Sequence, residues 1–382
     1  MKLIFYRYFM YSFLAVEVLL LPLFLEKELY ATFEYYKFII FFVPFFMLGS
    51  PSGYIYYKYN HKEEYFGELL LFGFIHCLII LPFVWIYFNN LLFLMLCLLM
   101  TISLFVEHKL QTQRMFILAL GLKPMISIFL IFSFFLIYFN FVDEITINIL
   151  FVLMLLSFLT WLFISFRNIS FDKNKKLRIK NYFLLIKKGL PINAGTVLIM
   201  LFFFCDRFIA KEYYSEYLAS YSFSYNLIQF ILLALSTLAY VNVVDVGEKC
   251  DNINLYFLKE KILHSYKIFF ILLAFFIFFI LIISSFYPFP NLILYSLIMG
   301  VLLGNYFTIN SLSSIALYLD FFKKIVKMMF YLFLLNLVLS YIFIFFKIDY
   351  FYFLIKTGIL LNFSALYFIY LSINRLEYNV SR

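Results

Sequence analysis

Long apolar stretches recur along the whole chain and are separated by short polar segments. Residues 268–283, for example, read IFFILLAFFIFFILII. About 20 apolar residues in a helix cross the roughly 30 Å hydrocarbon core of a bilayer. Backbone in lipid must satisfy its own hydrogen bonds, which leaves helices or a closed barrel, and these stretches lack the two-residue alternation of barrel strands. The pattern therefore predicts an all-α integral membrane protein.

The apolar stretches predict about twelve membrane-spanning helices joined by short loops, with no room for a soluble domain. The first stretch follows Lys2 and Arg7 but is not followed by a small-residue cleavage site. We therefore expect it to be retained as a span and not removed as a signal peptide. The predicted bounds of the spans are 8–25, 35–56, 66–88, 91–106, 115–140, 145–166, 182–204, 214–244, 265–286, 291–319, 325–346 and 350–373.

Basic residues are concentrated in alternate loops, and this sets the predicted orientation. Cytoplasmic loops of membrane proteins carry an excess of Lys and Arg. If the N-terminus is cytoplasmic, all but six of the 30 basic residues lie in cytoplasmic segments, the exceptions being Lys27, Lys37, Arg207, Lys211, Lys347 and Lys356. Both termini are therefore predicted in the cytoplasm. The net charge of +9 follows from such loops facing the anionic headgroups of membrane lipids and requires no nucleic acid as a partner.

A basic segment at the middle of the chain has six predicted spans on either side. Residues 28–33 (ELYATF) and 216–221 (EYLASY) share a pattern at an offset of 188 residues, and each opens the second span of its half. Six spans is an even number, so the halves share one orientation, as in parallel repeats around a central cavity. The predicted domains are an N-terminal six-helix bundle (1–166), a basic cytoplasmic linker (167–181) and a C-terminal six-helix bundle (182–382).

Charged side chains inside the predicted spans are the strongest signals from single residues, because each is costly in lipid unless it is paired or hydrated. Glu17 lies in the middle of the first span, where its short side chain needs a cation, a proton or water. Lys37 opens the second span, Asp206 and Arg207 lie near the end of the seventh, and Lys211 follows them. These five residues are the candidate substrate-binding residues of the cavity, and its cations suit an anionic group such as a diphosphate.

Structural interpretations stand beside these functional ones. Asp206 and Arg207 pair with each other or reach the membrane interface in the simplest alternative. Lys37 and Lys356, which lies a turn or two into the last span, are alternatively expected to extend along the helix to the outer headgroups, and this is the favoured interpretation for Lys356.

Helix-breaking residues predict two flexing points, although ordinary kinks are as common as functional ones. They lie in the second span and at the start of the seventh: Pro44, Gly49, Pro51, Gly53, Gly189, Pro191 and Gly195.

Motifs for catalysis or for cofactors are not apparent in the sequence. There is no GxxxxGK[ST] phosphate-binding loop, no metal-ligand spacing and no catalytic triad, so we predict no enzyme activity, no metal and no cofactor. The chain has 57 Phe and 33 Tyr residues. Aromatic faces stack on sugar rings, which suits a carbohydrate path, but an AT-rich genome raises Phe, Tyr, Ile, Asn and Lys together, and that interpretation is favoured.

Three features of residues 188–227 resemble the start of the second half of polysaccharide flippases, which belong to the multidrug/oligosaccharidyl-lipid/polysaccharide exporter superfamily. The first is a Gly-Leu-Pro entry to the seventh span at 189–191. The second is the Asp206-Arg207 pair near the end of that span, and the third is the Tyr-Ser at 221–222 that begins the next.

The first half fits the same family. Residues 28–33, with Gly49 near the end of the second span, match its layout, while Ala31 and Ala219 occupy positions where the family often has Gly. The resemblance in layout covers the whole chain, and the motifs cover about forty residues.

The resemblance implies a flippase that moves undecaprenyl-diphosphate-linked oligosaccharide repeat units across the bacterial inner membrane by alternating access. Such transport serves the synthesis of lipopolysaccharide O-antigen, capsule or another surface polysaccharide. It implies the lipid-linked oligosaccharide as the main partner, with a polysaccharide polymerase and a chain-length regulator as further ones.

Two other functions remain open from the sequence. An O-antigen or capsule polymerase has a similar size and span count, but it is expected to carry a large periplasmic loop, and the predicted outer loops are short. A drug/cation antiporter of the same superfamily is expected to carry buried carboxylates in both halves, and only Glu17 is clearly so placed.

Overall fold

The computed structural model describes residues 2–139, 144–170, 177–248, 254–287, 289–313, 315–316 and 321–380. These residues form helices and no strands. Residues 171–176 of the predicted linker and the last part of the predicted tenth span lie outside the described residues. The chain divides into two compact units, Met1–Val197 and Leu198–Arg382, which we call the first and second units.

Most helices of both units are long and apolar, as the hydropathy pattern predicts. Those of the first unit are α1 (Lys2–Phe24), α2 (Lys27–Phe42), α3 (Ser50–Asn60), α4 (Phe66–Phe88), α5 (Leu91–Thr112), α6 (Phe116–Ala119), α7 (Leu122–Tyr138) and α8 (Ile147–Asn168). Helix α9 (Ile179–Tyr213) begins in the first unit and ends in the second. Those of the second unit are α10 (Ser215–Glu248), α11 (Leu255–Ile283), α12 (Leu292–Asn310), α13 (Phe322–Phe345) and α14 (Tyr350–Val380).

Each of the twelve predicted spans corresponds to an apolar helical segment. Within the described residues, ten segments are long and apolar enough to cross a membrane, and two shorter apolar ones, Phe9–Phe24 and Leu122–Leu136, account for the first and fifth predicted spans. The prediction of a multi-helix membrane protein is confirmed. Several ends differ, because hydropathy does not detect polar residues that continue a helix. Helix α11, for example, begins where the side chain of Asn254 accepts a hydrogen bond from the backbone N–H of Phe257 at 2.8 Å.

The second span is broken at one of the two predicted flexing points. Helix α2 ends at Phe42 and is followed by a 3₁₀ turn, Val43–Met47. Leu48 and Gly49 then adopt left-handed backbone conformations with φ of 52° and 75°. Glycine allows this conformation at little cost, and α3 begins directly after it. The break therefore divides this span between α2 and α3.

The two units pack their helices in the same way, which confirms the predicted repeat. In the first unit the fourth span, α5, packs against α2, α4 and α8. In the second unit the fourth span, α12, packs against the corresponding helices α10, α11 and α14. The predicted domain bounds (1–166, 167–181 and 182–382) and the predicted cavity between the two bundles remain predictions.

The first part of α9 crosses α3, and the two helix backbones are in direct contact there. A Cβ atom added to Gly189 would lie 1.8 Å from the carbonyl oxygen of Gly49, and one added to Gly53 would lie 1.9 Å from that of Leu185. Small residues at a helix crossing allow this close approach in membrane proteins. Ser52 adds a hydrogen bond from its hydroxyl to Asn193 Oδ1 at 3.0 Å. The crossing holds the start of α9 on the first unit.

The loop between α3 and α4 is held by one glutamate that bridges two lysines. Glu64 lies 2.8 Å from Lys58 Nζ and 3.1 Å from Lys109 Nζ, and it accepts a hydrogen bond from the Tyr54 hydroxyl at 2.9 Å. Burial by itself raises the pKa of Glu64, but the hydrogen bond from Lys58 and the charge of Lys109 outweigh it and hold this pKa below the usual 4.5.

Because the pKa of Glu64 is lowered on folding, its ionised form stabilises the native state above the ordinary glutamate value of 4.5, and this contribution is lost as the pH falls below it. We expect Glu64→Gln to lower the unfolding temperature at pH 7 and to approach the wild type near pH 3. Thermal unfolding in detergent at several pH values measures this. Glu26→Gln, which removes an exposed carboxylate, is the control, and equal profiles for Glu64→Gln and the wild type would contradict the assignment.

Candidate functional site

Glu17 is buried in the first unit and has both a cation and a hydroxyl as partners. Its carboxylate pairs with Lys37 Nζ and accepts a hydrogen bond from the Ser127 hydroxyl at 2.6 Å. Lys37 also lies 3.3 Å from Glu34, one turn earlier on α2. Glu17 and Glu34 are 1% and 3% exposed. We call Glu17, Glu34, Lys37 and Ser127 the first-unit charge cluster.

Of the partners expected for Glu17, a cation, a proton or water, the structure supplies a cation, Lys37, and it corrects the expected place of Lys37. Lys37 was predicted to open the second span, but α2 begins ten residues earlier, at Lys27. Lys37 therefore lies in the interior of the α2 segment, and its ammonium group points to Glu17, not to the headgroups. Pairing inside a bundle is the usual way in which a membrane protein tolerates such charges.

Asp206 is buried in the second unit and is held by α14. Its carboxylate oxygen Oδ1 accepts a hydrogen bond from the Thr357 hydroxyl at 2.9 Å and lies 3.9 Å from Lys356 Nζ. Lys356 also donates a hydrogen bond to the Ser340 hydroxyl on α13, and Asn336 lies 3.4 Å from Thr357. We call Asp206, Asn336, Ser340, Lys356 and Thr357 the second-unit charge cluster.

The expectation that Lys356 extends to the outer headgroups is wrong. The residue is 6% exposed, and its ammonium group is directed inward at Ser340 and Asp206. The Asp206 carboxylate attracts the ammonium group across the bundle, and hydroxyls complete its hydrogen bonds. The alternative in which Asp206 and Arg207 reach the interface is also wrong, since each is 2% exposed.

Arg207 follows Asp206 on α9 but points to the aromatic rings of α10. Its guanidinium carbon lies 4.7 Å from the ring centre of Tyr225 and 5.7 Å from that of Tyr221. Cation–π contacts of this kind stabilise a desolvated cation by about 2 kcal/mol. With the repeat offset of 188 residues, Lys37 corresponds to Tyr225. A charged side chain thus joins the first and second spans of each half, through the Glu17–Lys37 pair in the first half and the Arg207–Tyr225 contact in the second.

Tyrosines surround the second-unit charge cluster. The Tyr350 hydroxyl donates a hydrogen bond to the backbone carbonyl of Asp206 at 3.2 Å. The Tyr350 ring lies 6.4 Å from Tyr217, 5.8 Å from Tyr221 and 6.1 Å from Tyr295 between centroids. These rings pack on one another, and Tyr221, Tyr295 and Tyr350 are buried, so some of the abundant aromatic residues form a core.

A small cavity lies beside Asp206 in the second unit. Its volume is about 10 Å³, enough for about one water molecule. Asp206, Tyr221 and Thr357 supply its polar lining, and the rest is apolar: Phe203, Met299, Leu302, Leu303 and Leu354. Water at this position would reach the carboxylate directly.

The structure brings together some of the predicted site residues within each unit. Glu17 and Lys37 are in contact in the first unit, and Asp206 and Arg207 are adjacent in the second. Lys211 is half-buried at the end of α9, one turn beyond Arg207. The predicted gathering of Glu17, Lys37, Arg207 and Lys211 around one cavity stays a prediction.

Sequence reasoning missed the partners of these charges. They are small polar or acidic residues, most of them on other helices: Glu34, Ser127, Asn336, Ser340 and Thr357. One signal was available, since Lys356-Thr357 and Asn336 interrupt apolar stretches on adjacent spans. Hydropathy alone does not show which buried helix face a polar residue occupies.

The helical architecture and the long apolar segments define a multi-pass membrane protein. A solved structure described as the inward-facing conformation of a multidrug resistance MATE family transporter of the MOP superfamily is similar to this chain. The similarity covers 97% of this chain and 94% of that chain, with a TM-score of 0.69 and 12% sequence identity. No family model and no curated protein sequence matches the chain. The chain therefore shares the fold of that solved structure.

Proposed function

We propose that the protein is an exporter that moves undecaprenyl-diphosphate-linked oligosaccharide repeat units across the bacterial inner membrane for O-antigen, capsule or other surface polysaccharide synthesis. The cargo carries two phosphates and several sugars, whose unaided passage through hydrocarbon is prohibitive. A transporter must offer cations for the diphosphate, and the described residues include the partly buried Lys37 in the first unit and the buried Arg207 in the second.

The observation that carries this proposal is that the buried carboxylates Glu17 and Asp206 each have a lysine as a partner. Glu17 pairs with Lys37, which Glu34 shares, and Asp206 pairs with Lys356, each within its own unit. A coupling cation at either carboxylate has to compete with an ammonium group that is tethered beside it. Arg207, in contrast, rests its guanidinium on tyrosine rings, and a guanidinium binds phosphate oxygens in a bidentate manner.

A drug/cation antiporter is the second candidate, and a specific observation favours it. The described structure contains buried carboxylates in both units, Glu17, Glu34 and Glu68 in the first and Asp206 in the second, whereas the sequence clearly placed only Glu17. The similar solved structure is a multidrug transporter. Measuring the leaflet in which lipid-linked repeat units accumulate distinguishes the flippase from this candidate and from the polymerase.

Arg207→Ala is expected to reduce export of lipid-linked repeat units by about 10- to 100-fold, the value of one or two hydrogen bonds to a charged group. The assay uses cells that make a repeat unit and lack their own flippase, and it measures the single units on the inner and outer leaflets. Lys37→Ala is expected to act in the same direction. Arg375→Ala, which removes an exposed arginine, is the matched control.

Protein levels must be equal in all variants, and Lys37→Arg tests whether the charge suffices to keep the Glu17 pair. Full export in both Arg207→Ala and Lys37→Ala removes the proposal. Single units that accumulate on the outer leaflet when the protein is absent indicate a polymerase, and unchanged unit distribution with lost drug resistance indicates the antiporter.

A further inference from the structure

The first part of α9 lies beside the beginning of α4, at the level where that span starts. The Leu177 side chain reaches Gly67, and Asn181 donates a hydrogen bond to Glu68 Oε1 at 2.8 Å. One residue later, the Tyr182 hydroxyl lies 2.8 Å from His76 Nδ1, two turns further along α4. Helix α9 therefore begins beside the first turns of α4 and continues along that helix.

The opposite side of this segment is exposed and combines apolar and basic side chains. Ile179, Phe183 and Leu190 are 56%, 61% and 43% exposed, and Lys180 and Lys187 are exposed as well. At about 100° per residue, the apolar residues form one strip and the two lysines form the strip next to it. We call these five residues the α9 lipid face.

The charge of the α9 lipid face favours an anionic ligand. Residues 177–205 contain four basic residues and no Asp or Glu, and the ion pairs of the described residues do not include Lys180 or Lys187. Lys188, in contrast, is placed over the Tyr56 ring at 5.0 Å. The lysines of the face thus have ammonium groups available for an anion.

The spacing also fits a lipid. Lys180 and Lys187 are two helical turns apart, about 10 Å along the axis, and long lysine side chains extend toward the headgroup region from positions inside the leaflet. Phe183 lies between them, and Leu190 lies about one turn beyond Lys187 along α9. Helices with an exposed apolar strip next to a basic strip bind anionic membrane surfaces.

We propose that the α9 lipid face binds an anionic phospholipid, with the headgroup phosphate on Lys180 and Lys187 and an acyl chain along Phe183 and Leu190. The proposal is independent of the cargo, because it concerns a resident membrane lipid. The bound lipid would support the segment of α9 that is held to the first unit by the Gly49–Gly189 crossing.

The test is a titration of the purified full-length chain in detergent with phosphatidylglycerol and, separately, phosphatidylcholine, with binding measured by native mass spectrometry. We expect the wild type to prefer phosphatidylglycerol. Lys180→Gln with Lys187→Gln should weaken phosphatidylglycerol binding about 30-fold, since each lysine near an anionic surface contributes about fivefold. Lys180→Arg with Lys187→Arg should retain it.

The matched control is Lys323→Gln with Lys324→Gln, which removes two exposed lysines from the start of α13 and should retain the preference. Equal binding of the two lipids by the wild type, or undiminished phosphatidylglycerol binding by the Lys180/Lys187 glutamine variant, overturns the proposal. If that variant does not fold, salt provides the second measurement, since 0.5 M salt should weaken wild-type binding. Binding that is insensitive to salt also overturns it. Lipid export is not part of this readout.

Discussion

Replacement of Lys356 with Met is expected to destabilise the protein by about 3–5 kcal/mol, the usual cost of removing one partner from a buried ion pair. The change leaves the Asp206 carboxylate, which is 2% exposed, with the Thr357 hydroxyl and without the ammonium group 3.9 Å away. The Asp206 carboxylate must then take up a proton, or it must be hydrated by water that disturbs the packing around it. Unfolding free energies from denaturant titration in mixed micelles measure the effect.

A double variant separates charge from packing in this experiment. Asp206→Asn combined with Lys356→Met removes both charges, and we expect it to recover most of the lost stability, because buried pairs are often replaced by neutral groups at little cost. Lys347→Met removes an exposed lysine near the start of α14 and should change little. A Lys356→Met variant as stable as the wild type, or a double variant as unstable as the two single variants together, contradicts the pairing.

Gly189→Ala is expected to destabilise the first unit by about 3 kcal/mol, at the upper end of the range for overpacking a core. The added methyl group would lie 1.8 Å from the Gly49 carbonyl oxygen. A backbone oxygen cannot rotate away as a side chain does, so the two helices must separate. Thermal unfolding in detergent and protease cleavage near residue 179 both report whether α9 stays on α3.

A matched glycine controls for the intrinsic effect of the substitution. Gly67 lies in the first turn of α4, and a Cβ atom there would meet only the end of the Leu177 side chain, at 2.7 Å. Leu177 is 45% exposed and has room to change rotamer, so Gly67→Ala should cost little. Gly53→Ala should resemble Gly189→Ala, because its Cβ would also meet backbone. Equal, small effects for all three variants would contradict direct contact between the backbones of α3 and α9.

The charged residues show how far sequence reasoning extends toward a site. The depth of Glu17 in its span predicted that it needs a partner, and Lys37 is that partner. For Lys356 the same reasoning failed, because its distance from the helix end allowed either an outward or an inward side chain. Asp206 determined the outcome, and it lies 150 residues earlier in the chain.

The sequence by itself determined the class of this protein, the number and order of its spans and its two-fold repetition. Hydrophobicity and length are local properties, and a bilayer accepts only helices of that composition and length. Only the tertiary structure decided which lysine neutralises which carboxylate, where Arg207 rests, and that Gly49, Gly53, Leu185 and Gly189 meet. Those contacts depend on the rotation of each helix about its axis and on its neighbours, which hydropathy does not specify.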